Sequence, residues 1–167
     1  MRQEVPLAAG TYEQLGEELA ALWSDEIDFF VRAANMAALL FWRLPEVNWV
    51  GFYLRDGDDL LLGPFQGRPA CQRIPIGRGV CGQAALRRQP IIVPDVSAFP
   101  DYIACSPETR AELVVPMVAG DVLCGVVDLD SSQLDRFTQE DAQGIQQLVD
   151  QLIAGSDLKR LRRYYRW

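Results

Sequence analysis

The spacing of apolar residues predicts helices near both ends of the chain and strands between them. Apolar residues recur every three or four positions over 11–22 and again over 24–42, and Pro45 ends the second run. Ser24 stands at the start of the second run and is predicted to cap that helix. The face that this helix turns to the core is predicted to consist of Ile27, Phe30, Val31, Ala34, Ala38 and Phe41.

The middle of the chain alternates between apolar and polar residues in the manner of strands. Segments 47–54 and 59–62 flank an Asp-Gly turn, and segments 113–118 and 122–130 flank a second turn. Each pair therefore predicts two strands joined by a short turn, and the second pair predicts a hairpin.

A further helix is predicted near the C-terminus, where Thr138 and Asp141 can form a capping box. Helices followed by a run of strands and a final helix are typical of the α+β class. We therefore predict one α+β domain over 1–155. Segment 156–167 holds five of the 16 basic residues. It is predicted to be a basic tail that extends the last helix along the surface, and the alternative is that it binds an anionic surface or a partner.

The composition argues against several classes of function. The formal net charge of −7 argues against general nucleic-acid binding, and no apolar run approaches the roughly 20 residues that a membrane span needs. The first residues, MRQEVPLAAG, lack the apolar core of a secretory signal, so we expect a cytoplasmic location. In that compartment we expect catalytic or redox roles for the four cysteines rather than structural disulfides.

The types of residue available limit the chemistry. The chain contains no histidine and no Cys-x-x-Cys pair, so no metal site is predicted, and thiols and carboxylates must carry any polar chemistry. Cys71, Cys81 and Cys105 lie around turns in segments rich in glycine and proline. Cys124 lies within a strand segment, where we expect it to pack as a small apolar side chain.

Two pairs of side chains are predicted to share a face of the sheet, because alternate residues of a strand point the same way. Asp128 and Asp130 form one pair, and Trp49 and Tyr53 form the other. Two carboxylates on a buried face require a cation or a shared proton, whereas on a solvated sheet edge they require neither. The aromatic pair fits either plain core packing or a wall beside a small ligand.

These segments resemble a known family. The motifs NWVGFYL, LGPFQGRPACQRIPIGRGVCG, PDV, IAC, ELVVP and GVVDLDS follow one another as in the free methionine-(R)-sulfoxide reductases, which are GAF-domain enzymes. The resemblance runs from about residue 34 to about residue 153. It implies a GAF-like fold with a central, mostly antiparallel sheet, and with the N-terminal and C-terminal helices packed on one face.

The resemblance also implies a thiol mechanism with no bound cofactor. Cys105 matches the attacking cysteine, Cys71 the resolving cysteine, and Cys81 a cysteine with a secondary role. The attack on free L-methionine-(R)-sulfoxide would leave a sulfenic acid, which condenses with the resolving thiol to a disulfide and releases L-methionine. Thioredoxin or another dithiol would then reduce that disulfide.

The same resemblance places five side chains in the substrate pocket: Trp49, Tyr53, Glu112, Asp128 and Asp130. Glu112 could protonate the sulfoxide oxygen if burial raises its pKa. We expect Glu112 and Asp130 to lie near that oxygen and Asp128 to hold the substrate ammonium. The residues alone leave open which carboxylate is the acid.

The chain departs from the family pattern at one point of the site. Many relatives have Gly-His before the motif of the attacking cysteine, where this chain has Asp101 and Tyr102. The resemblance further implies a homodimer. The alternative function is a non-enzymatic GAF sensor that binds a small molecule, although a sensor has no need for Cys71 and Cys105 together.

Overall fold

A computed structural model describes residues 11–167 of the chain. In chain order the elements are α1 (Thr11–Trp23), α2 (Phe29–Arg43), β1 (Val47–Asp56), β2 (Asp59–Gln66), β3 (Arg73–Pro75), α3 (Gly79–Arg87), β4 (Ile91–Val93), β5 (Ala111–Ala119), β6 (Val122–Ser131), α4 (Gln139–Gly155) and α5 (Leu161–Tyr164). Among the helices of residues 11–167, none combines the length and the apolar character needed to cross a bilayer.

The described strands form one six-stranded sheet in the order β3-β2-β1-β6-β5-β4. Every pairing is antiparallel, which confirms the mostly antiparallel sheet of the expected GAF-like fold. Strand β6 lies between β1 and β5, so that Asp130 is opposite Trp49 on one side and Glu112 on the other. The central strand therefore brings together residues that are far apart in the sequence.

The two faces of the sheet are covered differently. Side chains such as Val50, Phe52 and Leu129 point to one face, where they pack against α1, α2 and α4 in one apolar core. Trp49 and Tyr53 point to the other face, which α3 and the long connections cover. The predicted alternation along β1 is confirmed, and so is the packing of the N-terminal and C-terminal helices on one face.

Helix α2 begins later than predicted and turns a different face to the core. Its N-cap is Asp28 rather than Ser24, because the Asp28 carboxylate accepts hydrogen bonds from the backbone N–H groups of Phe30 and Val31. The buried face consists of Phe29, Arg32, Ala33, Met36, Ala37 and Leu40. Ile27 and Val31 of the predicted face are 56% and 46% exposed. Since α2 is apolar around most of its circumference, periodicity alone could not select the face.

Helix α4 begins as predicted, and its first turn holds a buried carboxylate. The Thr138 hydroxyl accepts a hydrogen bond from the backbone N–H of Asp141, while the Asp141 carboxylate accepts one from the N–H of Thr138. The same carboxylate accepts from the Tyr12 hydroxyl at 2.5 Å and lies 3.3 Å from the Arg136 guanidinium. Both oxygens of Asp141 are therefore satisfied inside the protein.

The C-terminal segment does not extend α4, so this prediction is wrong. The helix ends at Gly155, and the chain then turns so that Leu161 is buried in the helix-side core. The Arg166 guanidinium pairs with Asp56 at 2.9 Å, and the Arg166 carbonyl accepts a hydrogen bond from Gly57. Leu161 thus gives the basic segment an apolar anchor in the core, and Arg166 joins the segment to the β1–β2 turn. The boundary at residue 155 stays a prediction.

Candidate active site

A small cavity opens on the face of the sheet that α3 covers. Its walls are formed by Ile74, Gly79, Val80, Cys81, Tyr102, Ile103, Cys105, Glu112, Asp128 and Asp130. The cavity has a volume of about 20 Å³, which is enough for roughly one water molecule. The cavity brings Cys105, Cys81 and the three predicted carboxylic acids together.

The first turn of α3 forms one wall of the cavity because two glycines allow it to approach. Gly79 opens the helix at a φ of +59°, and a Cβ atom at Gly82 would lie only 2.4 Å from the carbonyl oxygen of Pro75. Arg78, the N-cap residue, makes no side-chain hydrogen bond to the helix. Gly79, Val80 and Cys81, in the first turn of α3, line the cavity at the positive end of the helix dipole.

Cys71 and Cys105 are joined by a disulfide, with their Cα atoms 5.3 Å apart. Cys71 lies in the short connection between β2 and β3, Cys105 lies in the long connection between β4 and β5, and both residues are partly exposed. A second link joins the same connections, because Arg68 pairs with Glu108 at 2.8 Å. The two cysteines that the resemblance named as resolving and attacking residues are thus within bonding distance.

Trp49 and Tyr53 lie behind the disulfide rather than in the cavity wall. Their rings stack at a centroid distance of 6.0 Å. The Trp49 indole donates a hydrogen bond to the Arg68 carbonyl at 2.9 Å, and the Tyr53 hydroxyl donates one to the Cys71 carbonyl at 3.1 Å. In the disulfide form this aromatic pair supports the loop that carries Cys71. Its predicted contact with substrate stays a prediction.

The three carboxylic acids form a buried cluster on two neighbouring strands. Glu112 on β5 is opposite Asp130 on β6, and Asp128 lies two residues earlier on the same face. Glu112, Asp128 and Asp130 are 5%, 6% and 9% exposed. Within the described residues, the Oδ1 atom of Asp128 has no hydrogen-bond partner. The cluster is therefore buried but incompletely satisfied, which is costly without a ligand or a proton.

Burial raises the pKa of all three carboxylic acids. The pKa of Glu112 lies well above its ordinary value because burial disfavours its charged form and Asp128 and Asp130 add repulsion. Burial and the charge of Asp128 likewise raise the pKa of Asp130. Burial raises the pKa of Asp128 only to about 7, because side-chain hydrogen bonding with Cys81 and Glu112 favours its charged form. Burial therefore favours the protonated form of all three carboxylic acids, and among them Asp128 has a pKa close to neutral pH.

Cys81 lies beside these acids on α3. Its sulfur is 3.9 Å from the Glu112 Oε1 atom, and burial followed by repulsion from the carboxylates raises the pKa of its thiol. A buried thiol of raised pKa is a weak nucleophile, so the secondary role given to Cys81 agrees with its surroundings. Among the described residues, Cys81, Glu112 and Asp128 also offer donor atoms within 4.8 Å of one another, a spacing that could hold a metal ion. The prediction that no metal binds here stays a prediction.

Cys124 lies away from the site. It is fully buried in the core beneath the helices, which confirms the prediction that it packs as an apolar side chain. It belongs to the opposite face of the sheet from the cavity and has no contact with the acids.

Sequence reasoning missed Arg78 and Thr109, and it assigned no role to Asp101 and Tyr102, although all four residues shape the site. The Asp101 carboxylate pairs with both Arg78 nitrogens that face it, one of them at 2.7 Å, and so ties the loop of Cys105 to α3. Tyr102 lines the cavity, and Thr109 is buried next to Asp130. The departure from the family motif marked Asp101 and Tyr102, but only the fold shows where their side chains lie.

Comparisons with known proteins agree with this geometry. Residues 24–154 match the GAF domain family. The chain is 47% identical over 152 residues to the free methionine-R-sulfoxide reductase of Escherichia coli (strain K12). The aligned region covers 89% of this chain and 92% of that protein. It is 36% identical over 145 residues to the free methionine-R-sulfoxide reductase of Saccharomyces cerevisiae, covering 82% of this chain and 81% of that one.

A solved structure shows the same fold. The X-ray structure of free methionine-R-sulfoxide reductase from Neisseria meningitidis, in complex with its substrate, superposes with a TM-score of 0.86. It is 39% identical and covers 97% of this chain and 99% of that chain. Because identity is high over nearly the whole length, the chain belongs to the GAF-domain family of free methionine-R-sulfoxide reductases.

Proposed function

We propose that this protein reduces free L-methionine-(R)-sulfoxide to L-methionine by thiol chemistry. The observation that carries the proposal is one cavity that holds the Cys105 sulfur, buried carboxylic acids and an unsatisfied oxygen of Asp128. An ammonium group would satisfy that oxygen, and a free amino acid has one whereas a residue within a peptide has a neutral amide. Membership of the family supports the same class of substrate.

The acids divide into two roles. Burial raises the pKa values of Glu112 and Asp130 well above their ordinary values, which favours their protonated forms, so that either acid can protonate the sulfoxide oxygen. Asp128 is the acid that ionises most readily, so it is the one that holds the ammonium. This is the division expected from the sequence.

The first turn of α3 fits the other charged end of the substrate. The backbone N–H groups at the start of a helix attract anions, and Gly79, Val80 and Cys81 line the same cavity as Asp128. A zwitterionic amino acid can therefore lie with its ammonium toward β6 and its carboxylate toward α3. The sulfoxide group then lies toward Cys105.

Reduction takes place in two steps. The Cys105 thiolate attacks the sulfoxide sulfur, an acid protonates the oxygen, and the oxygen passes to Cys105 as a sulfenic acid while methionine leaves. The Cys71 thiol then attacks the Cys105 sulfur, water leaves, and the Cys71–Cys105 disulfide forms. The sulfoxide gains the two electrons that the two thiols lose.

We expect a dithiol such as thioredoxin to return the enzyme to its reduced form. Cys71 and Cys105 are both partly exposed, so a thiolate of the reducing dithiol can reach the disulfide bond. The cavity of the disulfide form is too small for methionine sulfoxide, so substrate should bind only after reduction. A reducing compartment such as the cytoplasm provides such dithiols.

The exposed stripe of α2 supports the homodimer that the resemblance implies. Val31 and Ala34 of α2 are exposed, as is Ile27 just before the helix. Ala38, one turn after Ala34, is partly exposed and small enough for a second helix to approach closely. The charged residues of α2 lie elsewhere, since Arg32 is buried and Arg43 pairs with Glu18. A Val31→Glu variant should be monomeric in sedimentation analysis if two copies pack through this stripe.

The function is tested by comparing free and N-acetylated methionine-(R)-sulfoxide with dithiothreitol as reductant. We expect turnover of the free amino acid and a kcat/KM at least about 30-fold lower for the acetylated compound, because acetylation removes the ammonium. A sensor would bind the sulfoxide without forming methionine. Equal kcat/KM for the two compounds would contradict the role of Asp128.

A further inference from the structure

Two of the buried acids and the Cys81 thiol form one group of metal-binding donor atoms. The sulfur of Cys81, a carboxyl oxygen of Glu112 and a carboxyl oxygen of Asp128 all lie within 4.8 Å of one another. The three residues belong to α3, β5 and β6, so only the fold brings them together. The expectation of no metal site rested on residue types and on spacing along the chain, which do not exclude a site assembled in this way.

The spacing of the donor atoms fits a tetrahedral zinc ion. Zinc binds thiolate sulfur at about 2.3 Å and carboxylate oxygen at about 2.0–2.2 Å, which separates a sulfur from an oxygen by about 3.6 Å in a tetrahedron. The Cys81 sulfur and the Glu112 Oε1 atom are 3.9 Å apart. A shift of a few tenths of an ångström would therefore bring this pair to the separation found in a zinc site.

An independent observation at the same position also points to a ligand. Asp128 is only 6% exposed and lines the cavity, yet its Oδ1 atom has no hydrogen-bond partner within residues 11–167. Buried oxygens normally have a partner, so this atom is available to one that enters the cavity. A cavity of about 20 Å³ has room for a single ion but not for methionine sulfoxide.

The mixture of donor atoms selects the kind of metal. Mg²⁺ and Ca²⁺ take oxygen ligands, and a thiolate suits neither ion. Zn²⁺ accepts sulfur and oxygen together, and three protein ligands leave one position for water. Among the cavity-lining residues in the described part of the chain, none is basic, so no side-chain cation in the wall competes for the two carboxylates.

We propose that Cys81, Glu112 and Asp128 form an inhibitory zinc site. Bound Zn²⁺ takes the Asp128 oxygen that would hold the substrate ammonium and the Glu112 carboxyl that would protonate the sulfoxide oxygen. Zinc and free methionine sulfoxide therefore exclude each other. Zinc binding follows from the donor geometry alone, whereas the inhibition rests on the proposed function. The site gives Cys81 a role outside the redox cycle of Cys71 and Cys105.

Binding is tested on the disulfide form, in which Cys71 and Cys105 cannot act as thiolate ligands. Co²⁺ is the probe, because a thiolate ligand gives it a charge-transfer band, and one equivalent of Zn²⁺ should remove that band. Cys81→Ser should lose the band and bind Zn²⁺ at least about 100-fold more weakly, since even an outer-shell partner of a metal ligand contributes 10- to 100-fold. Asp128→Asn should keep the band and weaken binding. Cys124→Ala removes the other free thiol and should change neither property.

Inhibition is tested on the pre-reduced enzyme after the reductant has been removed, with methionine measured in a single turnover. Zn²⁺ should inhibit the wild type in competition with free sulfoxide, and a chelator should restore the rate. Each variant is compared with its own rate without zinc. Cys81→Ser should need at least about 100-fold more zinc for the same fractional inhibition, whereas Cys124→Ala should respond as the wild type does.

Several outcomes would overturn the proposal. A wild type that binds neither ion, a band that persists in Cys81→Ser, or equally tight binding in Asp128→Asn would show that these residues do not form a metal site. If Cys81→Ser fails to fold, the affinity of Asp128→Asn decides the question. Inhibition that is unchanged in Cys81→Ser would assign it to Cys71 and Cys105. A wild type that forms no methionine would overturn the proposed function and the inhibition, whereas zinc binding is decided separately by the Co²⁺ band.

Discussion

The molecule buries carboxylates on both faces of its sheet and treats them in opposite ways. On the helix side, Asp141 receives hydrogen bonds from Tyr12 and Thr138 and pairs with Arg136. On the cavity side, Asp128 has an oxygen without a partner and lies among other acids. Because proteins normally satisfy buried polar groups, the difference separates a structural carboxylate from one that awaits a ligand.

The thiols show the same contrast. Cys124 is enclosed by apolar side chains in the helix-side core. Cys71 and Cys105 lie in partly exposed connections on the cavity side, where a disulfide can form and be reduced. One face is therefore built for stability, whereas the other keeps reactive groups accessible at some cost in stability.

Replacing the attacking thiol should have the largest effect. Cys105→Ser should abolish methionine formation, because a serine hydroxyl here has no activating base and is a poor nucleophile toward sulfoxide. The measurement is methionine released per enzyme in a single turnover. Cys124→Ala is the matched control and should keep its activity. Residual turnover above a few per cent in Cys105→Ser would place the nucleophile elsewhere.

Replacing the resolving thiol should affect recycling but not the attack. Cys71→Ser should form one methionine per enzyme and then stop with thioredoxin as reductant, since the Cys71–Cys105 disulfide cannot form. Mass spectrometry should find an oxidised Cys105 after sulfoxide treatment. A normal steady-state rate with thioredoxin would mean that Cys81 or another thiol resolves the sulfenic acid.

The two kinds of buried carboxylate should respond differently to the same substitution. Asp128→Asn should raise KM for the free sulfoxide by roughly 30- to 4,000-fold, equivalent to about 2–5 kcal/mol for a buried charge-assisted contact. Asp141→Asn should leave KM unchanged and lower the free energy of unfolding by about 1–3 kcal/mol, because its partners lose a charged acceptor. If both variants lose only stability, Asp128 does not bind the substrate and the proposed difference between the two carboxylates is wrong.

Stability should depend on pH through the cavity acids. The pKa of Asp128 rises from 3.8 to about 7 on folding because of burial, so its contribution to stability is complete below about pH 4 and is lost as pH rises through about 7. The loss is at most roughly 4 kcal/mol. Thermal unfolding of the disulfide form should show a melting temperature that falls over this range of pH. Asp128→Asn should make the melting temperature less dependent on pH. An equally steep dependence in that variant would show that other groups cause it.

Removing the tail should have the smallest effect on activity. A chain that ends at Gly155 should keep kcat/KM within about twofold, because the tail contacts Asp56 and Gly57 rather than the cavity. It should lose about 1.5–3 kcal/mol of stability with the burial of Leu161, and Leu161→Ala in the full chain should reproduce most of that loss. A stable but inactive truncated protein would show that the tail supports the site.

Much of the fold could be predicted because its patterns are local. The alternation in β1 and β6 assigned their faces correctly, and the Thr138–Asp141 capping box located the start of α4. The pattern did not decide the face of α2, which is apolar on two sides. The buried position of Leu161 could not be predicted, because it depends on where the tail packs.

The sequence by itself determined which groups are available for chemistry, namely thiols and carboxylates without histidine, and which of them share a strand face. Only the tertiary structure decided that Cys71 meets Cys105 and that β5 sets Glu112 beside the acids of β6. The physical reason is the distance along the chain over which each effect acts. Strand periodicity and helix caps involve residues a few positions apart, whereas pKa values and the disulfide depend on burial and on neighbours that only the folded chain brings together.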